Sequence, residues 1–457
     1  MNKRLNVFEI LLHSSVWIAC SLGAVEVVPD TVETAPPPEV SAVAKADMMT
    51  LDAMFERIRK TSPEVLFERE KVRRALEEKV QERAALLPQV SLTASQIRQQ
   101  LGLGFVGDQF DSKPFNSFRG QFEVTQTVFN TERYANYGLA QLEHAIATMD
   151  YEVVYQDILD RAVNLYFTQL RDLNQKKIIE GNIERSRELL QLASDRFKAG
   201  AGVEIDVTRA QARLASDERE LWTAKVAIQT SSLQLKVLLD MDLDDDLNLD
   251  IALIDQINVP PHLEDYRIKG DAMINMRPEL AVQKKRLDKA ELTRKAAVWQ
   301  GLPSVELFGN WGYDANDAFQ DRQNEVWLVG VQASIPIFEG FRIEAQKRNA
   351  KLALRQQTYQ MRIIEQEVER EFRTALFEMN ARYKEIELAR KEITFGETEV
   401  KQAFLRYHEG LVDNRELIDA QQRLADANRS YLNSAYHYGL SRLAFARSIG
   451  AVETVLD

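Results

Sequence analysis

The sequence predicts a mainly α-helical protein with a small β part. It is organised as two structural repeats, which together give four barrel strands and long coiled-coil helices. Three observations predict this. A set of short motifs recurs once, in the same order. Each copy holds a proline-free stretch of about 65 residues, and in the second the apolar positions from Ile364 to Ile393 step by three or four. Each copy also holds two short runs in which apolar and polar residues alternate, the first directly after a proline.

The N-terminus comes first. Lys3 and Arg4 precede a mostly apolar run over residues 10–19, and Leu22, Gly23 and Ala24 follow. Residues 1–24 are expected to be a signal peptide, since the apolar run is too short to cross a bilayer as a helix. Cys20, the single cysteine, is a candidate lipidation site, although Trp17-Ile18-Ala19 departs from the Leu-Ala/Ser-Gly/Ala triplet that precedes lipidated cysteines. One cysteine excludes an internal disulfide. Residues 25–48 are rich in proline and aperiodic, which predicts a flexible leader.

The duplication is read from four anchors. Ser62-Pro63-Glu64 recurs as Arg277-Pro278-Glu279, and Leu87-Pro88-Gln89-Val90 as Leu302-Pro303-Ser304-Val305, both 215 residues on. Arg196-Phe197-Lys198-Ala199-Gly200 recurs as Arg406-Tyr407-His408-Glu409-Gly410, and the run beginning Ala210-Gln211 as the run beginning Ala420-Gln421, both 210 residues on. The repeats are assigned to residues 49–241 and 272–452, the acidic, proline-containing segment 242–271 to a linker, and 453–457 to a tail.

Each copy should start with a helix (51–86 and 279–300) that stops at Pro88 or Pro303, since proline cannot continue it. Strands are expected over 89–96 and 120–128 in copy one, and over 304–313 and 326–335 in copy two. Phe308 and Gln332 break the alternation of the second copy. Runs of this length suit tilted membrane strands, and Phe118, Trp311, Tyr313 and Trp327 suit the aromatic girdles of a barrel. Long helices are expected over 133–197 and 342–407, each about 100 Å. Glycine turns (199–204 and 409–414) and returning helices (206–239 and 415–449) complete each copy.

Net charge is −12 with no Lys/Arg cluster, which excludes an ordinary nucleic-acid binder. The five histidines are widely separated, and no phosphate loop of the G-x-x-x-x-G-K type is present. No enzyme, cofactor or metal site is therefore expected. Four strands cannot close a barrel of useful bore, so a chain of this kind must share its barrel with sister copies. Three chains would supply twelve strands.

These parts resemble the TolC-type outer-membrane efflux proteins in both copies, over nearly all of the chain after residue 48. The residues that carry the resemblance are Leu-Pro-x-Val at Leu87 and Leu302, the run from Ser334 to Gly340, Val128-Phe129-Asn130 in copy one, and Tyr407, Gly410 and Asp419-Ala420-Gln421 at the second tip. The resemblance implies a homotrimer with a twelve-stranded β-barrel above an α-helical barrel. The trimer would sit in outer-membrane lipid and reach into the periplasm. It implies a passive exit duct for tripartite efflux or type I secretion, partnered by a periplasmic adaptor and an inner-membrane RND or ABC transporter. It further implies a periplasmic constriction at Glu416 and Asp419, a hairpin latch between Asp206 and Tyr407, and adaptor-contact turns at Gly200, Ala201, Gly410 and Leu411. The arginine that the latch pattern calls for is Val412 here, which leaves the role to another basic residue such as Arg415.

Plainer readings stand beside these. Glu416 and Asp419 are also first-turn acids that suit the helix dipole. Tyr407 also suits core packing, and the glycines also suit C-caps. The rival assignments are a periplasmic coiled-coil adaptor and a structural scaffold protein.

Overall fold

The computed structural model describes residues 48–100, 114–249, 260, 270, 274–317 and 324–455. The expected signal peptide, Cys20, the leader up to residue 47 and most of the segment 250–273 lie outside the described residues.

Copy one runs α1 (Leu51–Thr61), α2 (Pro63–Ala84), β1 (Gln89–Gln99), β2 (Phe115–Phe129), α3 (Thr131–Lys198) and α4 (Glu204–Leu238). Copy two runs α5 (Pro278–Trp299), β3 (Ser304–Ala315), β4 (Asn324–Ser334), α6 (Arg342–His408) and α7 (Asn414–Ser448). The single first helix expected over 51–86 is two helices. Ser62, at φ −58° and ψ 121°, breaks the ladder, and Pro63 opens α2, where its missing N–H would have had no helical partner. β2 begins before Gly120 because residues 115–119 pair with 95–99, although Asn116 and Ser117 give no apolar alternation. β4 ends at Ser334, two residues before Pro336, which has no N–H for a ladder.

The four strands form one antiparallel meander in the order β1-β2-β3-β4. Its register sorts the residues by face. Val90, Val124, Gly309 and Val329 fall in one row, and Leu92, Phe122, Trp311 and Trp327 in the next. The opposite face carries the row Ser95, Arg119, Asp314 and Asn324, with a bidentate Arg119–Asp314 pair at 2.9 and 3.2 Å. Phe308 does stand on that polar face. Its ring lies over Gly330, where an added Cβ would come within 2.6 Å of it, so the break in alternation is a ring-over-glycine pair. Gln332 lies opposite Glu306 on the same face, while Val326 and Leu328 make β4 apolar on both sides.

Among the described residues nothing packs against the apolar face: Val90, Leu92, Trp327 and Val331 are each about two-thirds exposed. Phe122 stacks on Trp311 (6.3 Å), and Trp311 meets Tyr313 edge-on (5.6 Å), forming an aromatic band along this face.

The helices pack in rows. Near the sheet the row is α2-α3-α5-α6, and towards the far ends of α3 and α6 it is α6-α7-α3-α4. The apolar stripe expected on α6 is the packed one. Val368, Phe372, Ala375, Met379, Ile386 and Ala389 are buried, with Ile364, Tyr383 and Ile393 half-buried. The main core joins Met54, Ile58, Leu159, Tyr166, Leu235, Phe372 and Phe445 near the middle of the rod. There Met49 N–H donates to the Asn248 carbonyl (2.8 Å), so the described part of segment 242–249 is tied to the start of copy one. Among the described residues no helix is long and apolar enough to cross a membrane.

Candidate functional site: the hairpin tips

α3 and α6 end in the same way. Gly200 and Gly410 adopt φ of 71° and 75°, which glycine alone takes without strain. The Ala201 N–H donates to the Arg196 carbonyl (2.8 Å) and the Leu411 N–H to the Arg406 carbonyl (2.9 Å), closing two Schellman caps. Both glycines are thus C-caps. The residues after them, Ala201 and Leu411, are exposed at the end of the rod, with Phe197, Val203 and Ile205 close by in sequence and also exposed.

Behind the turns, Leu189, Ala193, Ala210, Ala403, Tyr407, Leu417 and Ala420 form a small apolar cluster that joins both hairpins. Tyr407 is buried within it, and the Arg196 guanidinium lies over its ring at 4.9 Å. Arg196 also donates to the carbonyls of Tyr407, His408 (3.0 Å) and Ala201 (3.3 Å). One side chain of copy one thereby holds the C-terminal carbonyls of α6 and its own turn together. Asn414 adds a second tie, its side-chain N–H donating to the Asp206 carbonyl at 2.7 Å. Arg209 adds a third, 3.4 Å from Asp413 across the two copies.

The expected latch pair is brought into this cluster but is not bonded. The Tyr407 hydroxyl and the Asp206 Oδ1 are both buried without a hydrogen-bond partner among the described residues. Burial, and then the neighbouring Asp206 charge, push the Tyr407 hydroxyl above its ordinary range. Burial likewise raises the Asp206 carboxyl, against the pull of Arg209 at 3.6 Å. Neither residue 412 nor Arg415 bonds to this pair among the described residues. Val412 packs against the apolar cluster, while Arg196 and Arg209 supply the charge.

Glu416 and Asp419 do not share one environment. Glu416 turns towards α6 and pairs with Arg406 at 2.7 Å. Asp419 is exposed and has neither a hydrogen bond nor an ion pair among the described residues. Arg415 is exposed in the same way and lines an open groove of about 390 Å³ with Arg209, Ala212, Arg213 and Ile418. Sequence reasoning missed Arg196, Arg406, Arg209 and Asn414. The first two open the repeated Arg-aromatic motif, which was the available signal.

A family model described as outer membrane efflux protein matches residues 55–240 and 271–451. The chain belongs to that family. Among curated relatives, this efflux protein is 21% identical to outer membrane protein TolC of Vibrio cholerae serotype O1, over 89% of its own length and 92% of the relative's. It is 22% identical to alkaline protease secretion protein AprF of Pseudomonas aeruginosa, over 78% and 75%. Among solved structures, its fold superposes on the outer membrane protein VceC of Vibrio cholerae with a TM-score of 0.76 at 18% identity, covering 88% of this chain and 96% of that one. The Campylobacter jejuni CmeC outer membrane channel gives a TM-score of 0.75, again at 18% identity, covering 88% and 85%.

Proposed function

We propose that the efflux protein is a passive exit duct: a homotrimer whose twelve strands close one barrel in the outer membrane and whose helices close one cylinder across the periplasm. One observation carries this reading, which is that the chain is an open segment at every level. Among the described residues the sheet has two unpaired edges, β1 and β4, and an apolar face with nothing against it. Such edges are tolerable in lipid only when another strand pairs with them.

The helical rows are open in the same sense. On α6, Leu352, Tyr359, Ile363, Phe377, Leu388 and Phe395 recur at spacings that keep them within one narrow stripe, opposite the packed one. Phe377 and Phe395 are about three-quarters exposed. At the other end of the lower row, α4 carries Trp222, Val226, Leu233 and Val237 on its outer face, all exposed. A neighbouring chain would bring the α4 stripe onto the α6 stripe, closing the ring by coiled-coil packing.

The adaptor of a tripartite system would dock on the exposed turns at Gly200, Ala201, Gly410 and Leu411, and the inner-membrane RND or ABC transporter would supply energy and choose the cargo. Asp419 would face the periplasmic constriction, with Glu416 one turn away drawn aside to Arg406, and the Arg196–Tyr407–Asp206 cluster would hold the tips together. Catalysis has no part in this reading. A soluble coiled-coil adaptor or scaffold leaves the bare apolar sheet face unexplained. The test is insertion of the purified protein into planar bilayers, where discrete, uniform conductance steps are expected. A protein that leaves the bilayer silent under every condition would overturn the proposal.

A further inference from the structure

The position of Arg415 changes what the narrow end of the duct selects. α7 packs against α6 on one flank and α3 on another, so it has a single exposed face. Its buried positions near the tip are Asn414, Leu417, Ala420, Gln421 and Leu424. The exposed ones are Arg415, Asp419, Arg423 and Asp426. Arg415 and Asp419 are four residues apart, so they stand one above the other on that face. Glu416 is turned about 100° from Arg415, onto the flank that meets α6, where Arg406 holds its carboxylate at 2.7 Å. Arg423 is likewise neutralised, by Glu399 on α6.

We infer that the residues presented to the bore at the constriction are Arg415 and Asp419, an arginine and an acid, rather than two acids, and that Arg415 is the residue that lets anionic cargo and small anions pass. This rests on the duct reading above, in which Asp419 faces the bore. Arg415 and Glu416 stand about 40° and about 60° from Asp419 around α7, and of the two it is Glu416 that is drawn off that side, by its pair with Arg406. The groove beside Arg415 carries Arg209 and Arg213 on its α4 wall. Those two are compensated by Asp206, Asp413 and Asp217. The Arg415 guanidinium has no ion pair among the described residues, so the charge that stands against it on this face is that of Asp419. Three copies of the chain would stack a cationic ring directly against an anionic one, with near-cancelling fields beyond a Debye length and no doubly acidic cage for a hydrated divalent cation.

The experiment is the zero-current potential of the full-length protein in planar bilayers across a salt gradient at about 0.1 M, where screening is modest. It is run for the wild type and for Arg415→Gln, Arg415→Lys, Glu416→Gln and Asp419→Asn. Wild type is expected to discriminate weakly between potassium and chloride. Arg415→Gln should raise the cation preference about twofold or more, as expected for removing one unit charge within about 10 Å of the path, and should introduce block by divalent cations. Arg415→Lys should restore wild-type values. Asp419→Asn should shift the preference the other way, and Glu416→Gln should shift it least. The inference is overturned by a strongly cation-selective wild type, or by a Glu416→Gln shift as large as that of Asp419→Asn with Arg415→Gln inert. A wild type with no conductance would instead remove the duct reading on which it stands.

Discussion

The two copies of the repeat share an order of elements and the same glycine cap, yet their tips are wired differently. Arg196 and Arg406 occupy the same place in the duplicated motif. Arg406 stays within its own hairpin, in an exposed pair with Glu416. Arg196 leaves its hairpin, covers Tyr407 and takes the carbonyls of the other copy. The position that is Glu416 in copy two is Asp206 in copy one, buried and short of partners. The helix starts diverge likewise. Glu64 makes an exposed pair with Arg161, whereas Glu279 is enclosed by Arg277 and Arg447. Duplication supplied the backbone; at the tip the copies are then tied by Arg196, Asn414 and Arg209, and near the middle Arg447, which pairs with Glu279 in its own copy, also reaches Asp157 of the other.

That asymmetry can be broken experimentally, and the largest effect is expected at Arg196. Arg196→Ala removes three charge-assisted hydrogen bonds and a ring contact, and should loosen the tips by about 3 kcal/mol. The readouts are a several-fold rise in single-channel conductance and faster protease cleavage at the turns. Arg406→Ala, which removes an exposed pair, should cost less than about 1 kcal/mol. Equal effects would mean that the copies are wired alike.

Next comes Glu279. Burial opposes its charge, but the Arg277 hydrogen bonds and the Arg447 charge outweigh this and hold its carboxyl at about 2, against an ordinary 4.5. The native state therefore prefers the charged form. This contribution is complete above about pH 4.5 and is lost as pH falls towards 2, on the order of 2–3 kcal/mol in all. Asp206 has the opposite sign. Its raised carboxyl favours the protonated native form, so acid relieves the tip while it weakens the middle. Glu279→Gln should flatten the acid limb of a thermal-stability profile.

A smaller effect is expected at the caps. An alanine at Gly200 or Gly410 must take a positive φ, at about 1–2 kcal/mol. Gly410→Ala should be slightly the worse, since its Cβ would also come 3.2 Å from the Arg196 guanidinium, whereas Gly200 faces open space. Smallest of all is Tyr407→Phe. Its hydroxyl makes no hydrogen bond, so the variant should stay within about 0.5 kcal/mol of wild type in tip stability. A large opening effect would show that the hydroxyl does carry the latch.

The sequence disclosed what periodicity and proline control. The 3.6-period stripe of α6, the turns at Gly200 and Gly410 and the strand that follows Pro88 are local signals, and the structure follows them to within a few residues. The break at Ser62 was equally local. Proline at the first turn of a helix marks a start as readily as it marks a stop. The tip was less legible, because charge partners across a duplicated chain lie more than 200 residues apart. The i, i+3 spacing of Glu416 and Asp419 suggested one shared face, but only the packing of α7 on α6 shows that the first is drawn aside by Arg406. The missing arginine at Val412 was visible, while the Arg196 guanidinium that lies over Tyr407 comes from the other hairpin, more than 200 residues away.

The account depends on an open four-stranded sheet being completed by sister chains. Native mass spectrometry of the protein extracted from outer membranes in mild detergent tests this directly. The predicted result is a species of three chains that keeps its detergent-bound apolar belt. A monomer that remains dissolved once detergent is removed would contradict it.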